Sequence, residues 1–304
     1  MNFIRPTASA ERKNHYLCAM NHRELIAALT PLHGEGEARA IVRMVMEERF
    51  GLSQTDLLLG KGTTLSADDR KDFEKIAHRL CSGEPVQYVL GYTEFFGHRF
   101  RVTPDVLIPR PETEELVQYA IDELCAPVSK LFDLCTGSGC IAISLALAFP
   151  SAHVQGIDIS ESALAIAREN AAALGASNVE FVQQDLLSPL SFAVEEGADS
   201  QSLDLVISNP PYVRSSEAGE MAETVLKHEP HLALFVPDAD PLRFYRAIAA
   251  VALRLLKTGG LVLAEINSAL AVETCRLFVD AGFLDVSVRD DQYGRPRMLK
   301  ARHP

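Results

Sequence analysis

The chain has 304 residues, 47% of them hydrophobic and 23% charged, which is the composition of a globular protein large enough for two domains. Its formal net charge of −12 repels nucleic acid and anionic membranes, and no long run of Lys or Arg offsets this charge locally. No apolar stretch approaches the ~20 residues of a membrane span, and six cysteines without a CxxC pair favour reduced thiols. We therefore expect a cytoplasmic protein without a nucleic-acid or membrane partner.

The N-terminal part of the chain is predicted to be helical after a disordered extension over residues 1–20. Residues 21–85 contain two segments with the helical spacing of apolar side chains. In "ARAIVRMVMEERFG" the helix ends at Gly51 and its apolar side consists of Ala40, Ile41, Met44 and Val45. The second helix has Ser66 as its N-cap and an apolar face of Phe73, Ile76 and Leu80. These segments predict a small helical domain.

The pattern changes after residue 85. Residues 86–110 carry Gly and Pro around alternating aromatic and aliphatic residues, which predicts a β-hairpin linking two domains. In residues 111–304 helical segments alternate with short apolar strands, expected at "KLFDLC", "HVQGID", "VEFVQQD", "LDLVISN" and "GLVLAEI". This alternation predicts an α/β fold, a Rossmann-like parallel sheet covered by helices on both faces. The ending "DVSVRDDQYGRPRMLKA" predicts two antiparallel strands around a glycine turn.

The segment "FDLCTGSGCIAI" ends the first of these strands and opens a helix. Gly137 and Gly139 allow the backbone to approach a ligand, and the helix N-terminus presents free N–H groups. Asp158 ends the second strand, where an acidic side chain accepts hydrogen bonds from ribose hydroxyls. Because Gly137-x-Gly139-x-x-Ala142 also fits the relaxed dinucleotide fingerprint, a dehydrogenase and a turn without a ligand both remain open at this point.

Two further carboxylates flank the expected crevice. Asp133, just before the glycine turn, would repel a pyrophosphate but suits a cofactor with an ammonium group, such as the amino-acid end of S-adenosylmethionine. Asp185 follows the third strand and could accept a hydrogen bond from an adenine amino group, or cap the next turn.

The fourth strand runs into "NPPY". Asn209 lies at the carboxyl edge of the sheet, while Pro210 and Pro211 have fixed φ angles and no N–H, which leaves carbonyl acceptors. Tyr212 supplies a flat face for a planar group. Such a segment suits a planar NH2 acceptor: the Asn209 side-chain oxygen and the Pro210 carbonyl would accept its two hydrogens and aim the nitrogen at a sulfonium methyl group. Catalysis would come from orientation and fixed dipoles without a strong base, and the alternative is a simple double-proline turn.

Taken together, several motifs resemble the protein N5-glutamine methyltransferases, most closely the group that acts on peptide chain release factors. They are "GEPVQYVLGYTEFFGHRFRV", "VLIPRPETEELV", the glycine turn, "SNPPYV" and "HEP". The resemblance implies a methyltransferase that converts S-adenosylmethionine to S-adenosylhomocysteine without a metal. It implies the glutamine of a Gly-Gly-Gln loop in a release factor as the acceptor, with the N-terminal domain gripping that partner. We expect a monomer.

The resemblance also assigns residues. The implied cofactor contacts, with Asp133 added, are Cys135, Thr136, Gly137, Ser138, Gly139, Asp158, Asp185, Leu186 and Asn209. The implied substrate contacts are Asn209, Pro210, Pro211 and Tyr212, with Arg110 as a further candidate. Asn209, Pro210 and Tyr212 are the expected catalytic residues.

Two motifs give conflicting indications of the substrate within this family. Cys135 stands where release-factor enzymes usually have glycine, and "DLCTGSGCIA" is similar to the sister group that methylates a large-subunit ribosomal protein. In contrast, "IPRPETE" matches the release-factor group. We give this motif more weight because it lies nearer the substrate side, and the ribosomal protein stays the alternative. Cys135 and Cys140 are expected to be packing residues.

Other interpretations are weaker. Pro111 with the acidic residues after it is an ordinary helix start, although Arg110 and Thr113 could lie near the cofactor or the peptide. His228 and His231 lack a third ligand, so we predict no metal. An adenine-N6 methyltransferase shares the acceptor logic but needs a basic surface, and a degenerate binding module would lack an intact "NPPY".

Overall fold

The computed structural model describes residues 20–61, 65–124, 127–188 and 201–304. The expected extension over residues 1–20 lies outside these ranges except for Met20. The chain forms two compact units. The smaller unit ends at Gly91 and also includes Glu223–His228, and the larger unit consists of Tyr92–Ala222 and Glu229–Pro304.

The smaller unit is helical, as predicted. Its helices are α1 (His22–His33), α2 (Glu35–Phe50), α3 (Gln54–Leu58), α4 (Ala67–Cys81), α5 (Val86–Leu90) and α9 (Glu223–His228). The Ser66 hydroxyl caps α4 by accepting a hydrogen bond from the Asp69 N–H, and Phe73, Ile76 and Leu80 are buried, which confirms both predictions.

The apolar face of α2 was only half right. Ile41 and Val45 are buried, whereas Ala40 and Met44 are exposed, so their prediction was wrong. The buried face instead includes Ala38, Val42 and Met46. Ala40 and Met44 are four residues apart and therefore form a stripe of their own, rotated by about 100° from the Ile41 and Val45 stripe. The helix does end at Gly51, whose φ is 64°.

The larger unit is built on a seven-stranded sheet. Its strands are β3 (Lys130–Leu134), β4 (His153–Asp158), β5 (Val179–Gln183), β6 (Leu203–Ser208), β9 (Leu256–Glu265), β10 (Leu284–Asp290) and β11 (Pro296–Arg302). They lie in the order β10-β11-β9-β6-β3-β4-β5. The five strands from β9 to β5 in this order are parallel, β11 is antiparallel to β9, and β10 is antiparallel to β11. These pairings confirm the predicted Rossmann-like sheet and its final hairpin.

Two apolar cores cover the two faces of this sheet. Helices α6 (Pro111–Glu123), α7 (Cys140–Ala148) and α8 (Glu161–Leu174) contribute to one core. Helices α10 (Arg243–Leu255) and α11 (Ala271–Asp280) contribute to the other. All six residues of β6 are buried, and four of them are apolar, as expected for a central strand covered on both faces.

Smaller strands complete the larger unit. β1 (Tyr92–Phe95) and β2 (His98–Arg101) form a hairpin inside the predicted range 86–110, but the start of that range is helix α5 of the smaller unit. β7 (Val213–Arg214) pairs with β8 (Phe235–Val236). No helix in the described ranges is both long and apolar enough to cross a membrane.

The order in which strands are added to the sheet reverses between β3 and β6, because β4 and β5 lie on one side of β3 while β6 and β9 lie on the other. In open α/β sheets, ligands bind at such a switch point, outside the carboxyl ends of the strands. The loops after β3 and β6 are the glycine turn and the "NPPY" segment, so the fold brings the two predicted motifs to one place.

Candidate active site

A cavity of about 460 Å³ lies in the larger unit at the carboxyl ends of the parallel strands. Its wall includes the predicted residues Arg110, Thr113, Cys135, Thr136, Gly137, Ser138, Asp158, Asp185, Leu186, Asn209 and Pro211. Four predicted residues are not part of this wall: Asp133, Gly139, Pro210 and Tyr212. The loops after four neighbouring strands therefore meet around one space.

Three alternate residues of the glycine turn adopt a left-handed backbone conformation. The φ angles of Cys135, Gly137 and Gly139 are 61°, 55° and 80°. A Cβ at Gly137 would meet no atom within 4 Å, so this backbone is open to a ligand, whereas a Cβ at Gly139 would lie 3.0 Å from the Ala167 Cβ. Gly137 is thus available for binding and Gly139 serves helix packing.

This difference predicts separate effects of two alanine substitutions. Gly139→Ala should destabilise the protein by ~2–4 kcal/mol, because it combines backbone strain with overpacking. Gly137→Ala should lower stability by only ~1 kcal/mol but weaken binding of the cofactor predicted from the sequence, S-adenosylmethionine, by about tenfold or more, because its methyl group would enter the cavity. Chemical denaturation and calorimetric titration of both variants test this expectation. Equal effects on stability and on binding in the two variants would contradict it.

Asp133 lies beneath the turn and is fully buried. Its Oδ2 accepts hydrogen bonds from the Thr136 hydroxyl (2.6 Å) and from the Ala142 N–H (3.2 Å). Its Oδ1 has no hydrogen-bond partner among the described residues. Burial raises the pKa of Asp133 from 3.8 to about 7, against the effect of the two hydrogen bonds. A cation at the turn would stabilise this carboxylate.

Asp158 links the turn to the next strand. Its Oδ2 accepts from the Gly137 N–H and its Oδ1 from the Ser160 N–H, both at 2.9 Å. Burial raises the pKa of Asp158. Each carboxylate oxygen has two lone pairs, so Asp158 can hold the turn and still accept from ligand hydroxyls at the cavity wall.

Asp185 and Asn170 complete the cofactor side. β5 ends at Gln183, and Asp185 accepts a hydrogen bond from the Leu187 N–H (2.8 Å), which is the turn-capping contact considered above. The Asp185 side chain lies at the cavity wall as well. Sequence reasoning missed Asn170, whose buried Nδ2 donates to the Ser138 carbonyl (2.9 Å) and thereby supports the turn.

The "NPPY" segment follows β6 directly. The Asn209 Nδ2 donates to the Thr113 hydroxyl (3.0 Å), and this hydroxyl donates to Glu265 Oε2 (2.8 Å). The Tyr212 hydroxyl donates to Glu265 Oε1 (2.7 Å), and its ring packs against the core that includes α10. Sequence reasoning missed Glu265. The available signal was an acidic residue at the end of a buried apolar strand next to β6.

Glu229 of the "HEP" motif has a structural role. Glu229 is buried, and its Oε1 lies 2.5 Å from the Arg110 guanidinium while its Oε2 accepts from the Ile108 N–H (3.3 Å). Glu229 thereby holds the Arg110 side chain at the cavity wall. No group of three or more potential His, Cys, Asp or Glu ligands occurs among the residues that the structure describes.

Cys135 and Cys140 are placed as packing residues. Cys140 belongs to the core on the α7 side, and Cys135 packs against the opposite core. Burial raises the pKa of the Cys140 thiol to about 12 and that of Cys135 well above its usual range. Neither thiol can therefore act as a thiolate nucleophile near neutral pH.

Comparison with known proteins addresses both units. A family model described as the PrmC N-terminal domain matches residues 24–91, and one described as a methyltransferase domain matches residues 128–282. The release factor glutamine methyltransferase of Bacteroides thetaiotaomicron is 44% identical over 274 residues, covering 90% of this chain and 96% of the relative. That of Flavobacterium psychrophilum is 40% identical over 285 residues, covering 92% and 97%. This chain belongs to the release factor glutamine methyltransferase family.

Membership of the release factor glutamine methyltransferases confirms the expected class, a protein glutamine methyltransferase that uses S-adenosylmethionine. Among solved structures, a methyltransferase from Pyrococcus furiosus matches with a TM-score of 0.47 and 17% identity, covering 68% of this chain and 89% of that one. TrmN from Thermus thermophilus matches with a TM-score of 0.42 and 23% identity, covering 62% and 48%.

Proposed function

We propose that this protein transfers a methyl group from S-adenosylmethionine to the side-chain amide nitrogen, N5, of the glutamine in the Gly-Gly-Gln motif of peptide chain release factors. The observation that carries the proposal is the position of Asn209. Its amide is held by Thr113 at the wall of a cavity that also contains the glycine turn and Asp158. A planar amide acceptor and a sulfonium donor can therefore meet at this edge of the sheet.

The residues of the cavity fit S-adenosylmethionine. Asp133 lies outside the cavity wall beneath the glycine turn, and its Oδ1, which has no partner among the described residues, suits the ammonium of the amino-acid end. The open face of Gly137 leaves room for the ligand against the backbone. We assign the ribose hydroxyls to Asp158 and the adenine side to Asp185 and Leu186. Thr136, Ser138, Cys135 and Gly139 shape the turn. When bound, the cofactor supplies an electrophilic methyl group on sulfur.

The acceptor side relies on fixed dipoles. The Asn209 Oδ1 and the Pro210 carbonyl would accept the two hydrogens of the glutamine NH2, which aims its nitrogen at the methyl group. As the new N–CH3 bond forms, the bond between sulfur and the methyl group would break to leave S-adenosylhomocysteine, and one amide proton would pass to water. Pro211 shapes the cavity wall, and Tyr212 is held by Glu265 beside it. Arg110, fixed by Glu229, is available to a peptide carbonyl or carboxylate. This arrangement requires no metal.

Two arguments favour a release factor over a ribosomal protein as substrate. The relatives from Bacteroides and Flavobacterium are both named for release factors. Cys135 adopts a φ of 61°, a conformation in which glycine is unstrained, so the Cys/Gly difference at this position has a backbone explanation independent of the substrate. We assign recognition of the release factor to the helical unit, residues 21–85, of a monomeric enzyme.

Intact-mass spectrometry tests the proposal. An unmethylated release factor incubated with this protein and S-adenosylmethionine should gain one methyl group, and fragmentation should place it on N5 of the Gly-Gly-Gln glutamine. The matched control is the same factor with Gly-Gly-Ala, which should gain none. Methylation of the unmethylated ribosomal protein instead would assign the substrate to the sister group. Methylation of neither would refute a glutamine acceptor and redirect the search to adenine-N6.

A further inference from the structure

A buried polar chain connects the cavity to the far side of the acceptor segment. It runs from Asn209 through Thr113 to Glu265 and on to Tyr212, over distances of 3.0, 2.8 and 2.7 Å. Thr113 and Glu265 are each only 2% exposed. Thr113 lies in the first turn of α6, Glu265 at the end of β9, and Asn209 after β6. This series of hydrogen bonds thus joins three elements that are distant in sequence.

The Glu265 carboxylate sets the directions of these hydrogen bonds. An ionised carboxylate only accepts hydrogen bonds. Because Glu265 accepts from both hydroxyls, the Thr113 proton is committed to Glu265, and the Thr113 oxygen is left as an acceptor. The Asn209 side chain must then present its NH2 to Thr113, since its oxygen would meet no donor there. The Asn209 Oδ1 is consequently the atom left for other partners.

Cationic and hydroxyl groups around Glu265 support its ionised form. Besides the two donors, the Arg297 guanidinium lies near it: the Arg297 Nη1 is 3.4 Å from the Tyr212 hydroxyl, and the Arg297 Nε is 3.3 Å from the Asp291 carboxylate. Burial and the Glu112 carboxylate act in the opposite direction and raise the pKa of Glu265. The Tyr245 hydroxyl donates to the Glu265 backbone carbonyl (3.1 Å), which fixes the end of the strand.

We propose that Glu265 is a positioning residue that sets, through Thr113, the orientation of the Asn209 amide with its oxygen directed to the substrate. The same carboxylate holds Tyr212 and so fixes the other end of the acceptor segment. This inference rests on the proposed function, because it concerns how the acceptor amide is received. It adds Glu265, which does not line the cavity, and gives Thr113, which lines the cavity wall, a role exerted through Asn209.

Glu265→Gln provides the test, because it keeps the shape and removes the obligatory acceptor. The glutamine can donate to Thr113, which lets the hydroxyl reverse and the Asn209 amide rotate. We expect kcat for the release factor to fall ~10–100-fold, while the Kd for S-adenosylmethionine changes by less than about threefold and the melting temperature is maintained. The matched control is Glu273→Gln on the exposed side of α11, which should leave all three quantities unchanged.

Variants at Thr113 separate positioning from packing. Thr113→Val removes the hydroxyl and should lower kcat to a similar extent. Thr113→Ser keeps the hydroxyl and should retain most of the activity. The kcat of the double variant Thr113→Val with Glu265→Gln should lie within about threefold of the kcat of each single variant, because both substitutions act through the same series of hydrogen bonds. Additive losses, or an unchanged kcat in Glu265→Gln, would overturn the inference.

A measurement without substrate keeps this inference distinct from the proposed function. In NMR spectra of the free protein, one side-chain NH2 proton of Asn209 should exchange slowly because it is bonded to Thr113, and this protection should be lost in Glu265→Gln. Protection that persists in Glu265→Gln would refute the positioning role. A wild-type protein that shows the protection but methylates no release factor would contradict the proposed function alone.

Discussion

Replacing Asn209 by alanine should lower kcat for the release factor by at least ~10²–10³-fold, because the substitution removes the side-chain acceptor that orients the glutamine NH2. Asn209 also lies at the cofactor cavity, so we expect S-adenosylmethionine binding to weaken modestly, by less than about tenfold. The fold should persist, because the Asn209 side chain is only partly buried and its neighbour Ser208 stays within β6. Single-turnover kinetics and calorimetric titration measure the two effects separately.

Two controls sharpen this experiment. Asn209→Asp keeps an acceptor oxygen but loses the NH2 that donates to Thr113, so it should also lose most activity. Gln118→Ala removes an exposed side-chain amide on α6 that donates to Asp122, and it should behave as wild type. Turnover of Asn209→Ala within a few-fold of wild type would refute the role given to the acceptor segment.

The second large effect concerns pH and Asp133. Its pKa is raised by burial from 3.8 in the unfolded chain to about 7 in the folded protein. Between these values the folded protein retains a proton that the unfolded chain has lost, so the free energy of unfolding should fall as the pH rises. The expected loss from this residue is ~4 kcal/mol across the window. The slope of the free energy of unfolding against pH reflects the difference in bound protons between the two states. Asp133→Asn should reduce this difference by up to one proton and make the protein more stable at pH 8.

The affinity for S-adenosylmethionine should depend on the same proton, but it should rise with pH where the stability falls. The ammonium of S-adenosylmethionine favours the ionised carboxylate, so affinity should increase as the pH rises towards and through about 7. Binding below this pH should release a proton, which is measurable by titration calorimetry in buffers of different ionisation enthalpy.

The comparison with Asp133→Asn tests this linkage directly. At pH 8 the variant should bind S-adenosylmethionine about tenfold or more weakly and should release no proton from this site. Asp280→Asn, an exposed position on α11, is the matched control and should show wild-type binding. Equal proton release by wild type and Asp133→Asn would assign the titration to another group.

Local patterns were sufficient for most of the fold. The parallel strands were predicted because each is a short apolar run that ends at a polar or turn residue, as at Ser208 and Asn209. Ser66 was found from capping chemistry alone. The apolar face of α2 was misjudged because two overlapping stripes of small and apolar residues occur there, and only packing decides which of them is buried.

The supporting residues of the site could not be predicted in the same way. Glu265 and Thr113 are separated by about half the chain, and their contact depends on β9 lying beside β6 and on where α6 begins. Asp133 was expected among the cofactor contacts, but its complete burial beneath the turn follows from the packing of α7 against β3. Such contacts arise from tertiary structure and leave no periodic trace in the sequence.

β6 lies in the middle of the sheet between β3 and β9, and none of its residues is exposed. Amides in such strands generally exchange with solvent only when the whole domain opens. The acceptor segment begins at the end of this strand, so one of its ends is anchored to a strand that we expect to open only with the larger unit as a whole. Heating should therefore inactivate the enzyme together with the loss of its tertiary structure, without an earlier stage in which a folded protein has a loosened acceptor site.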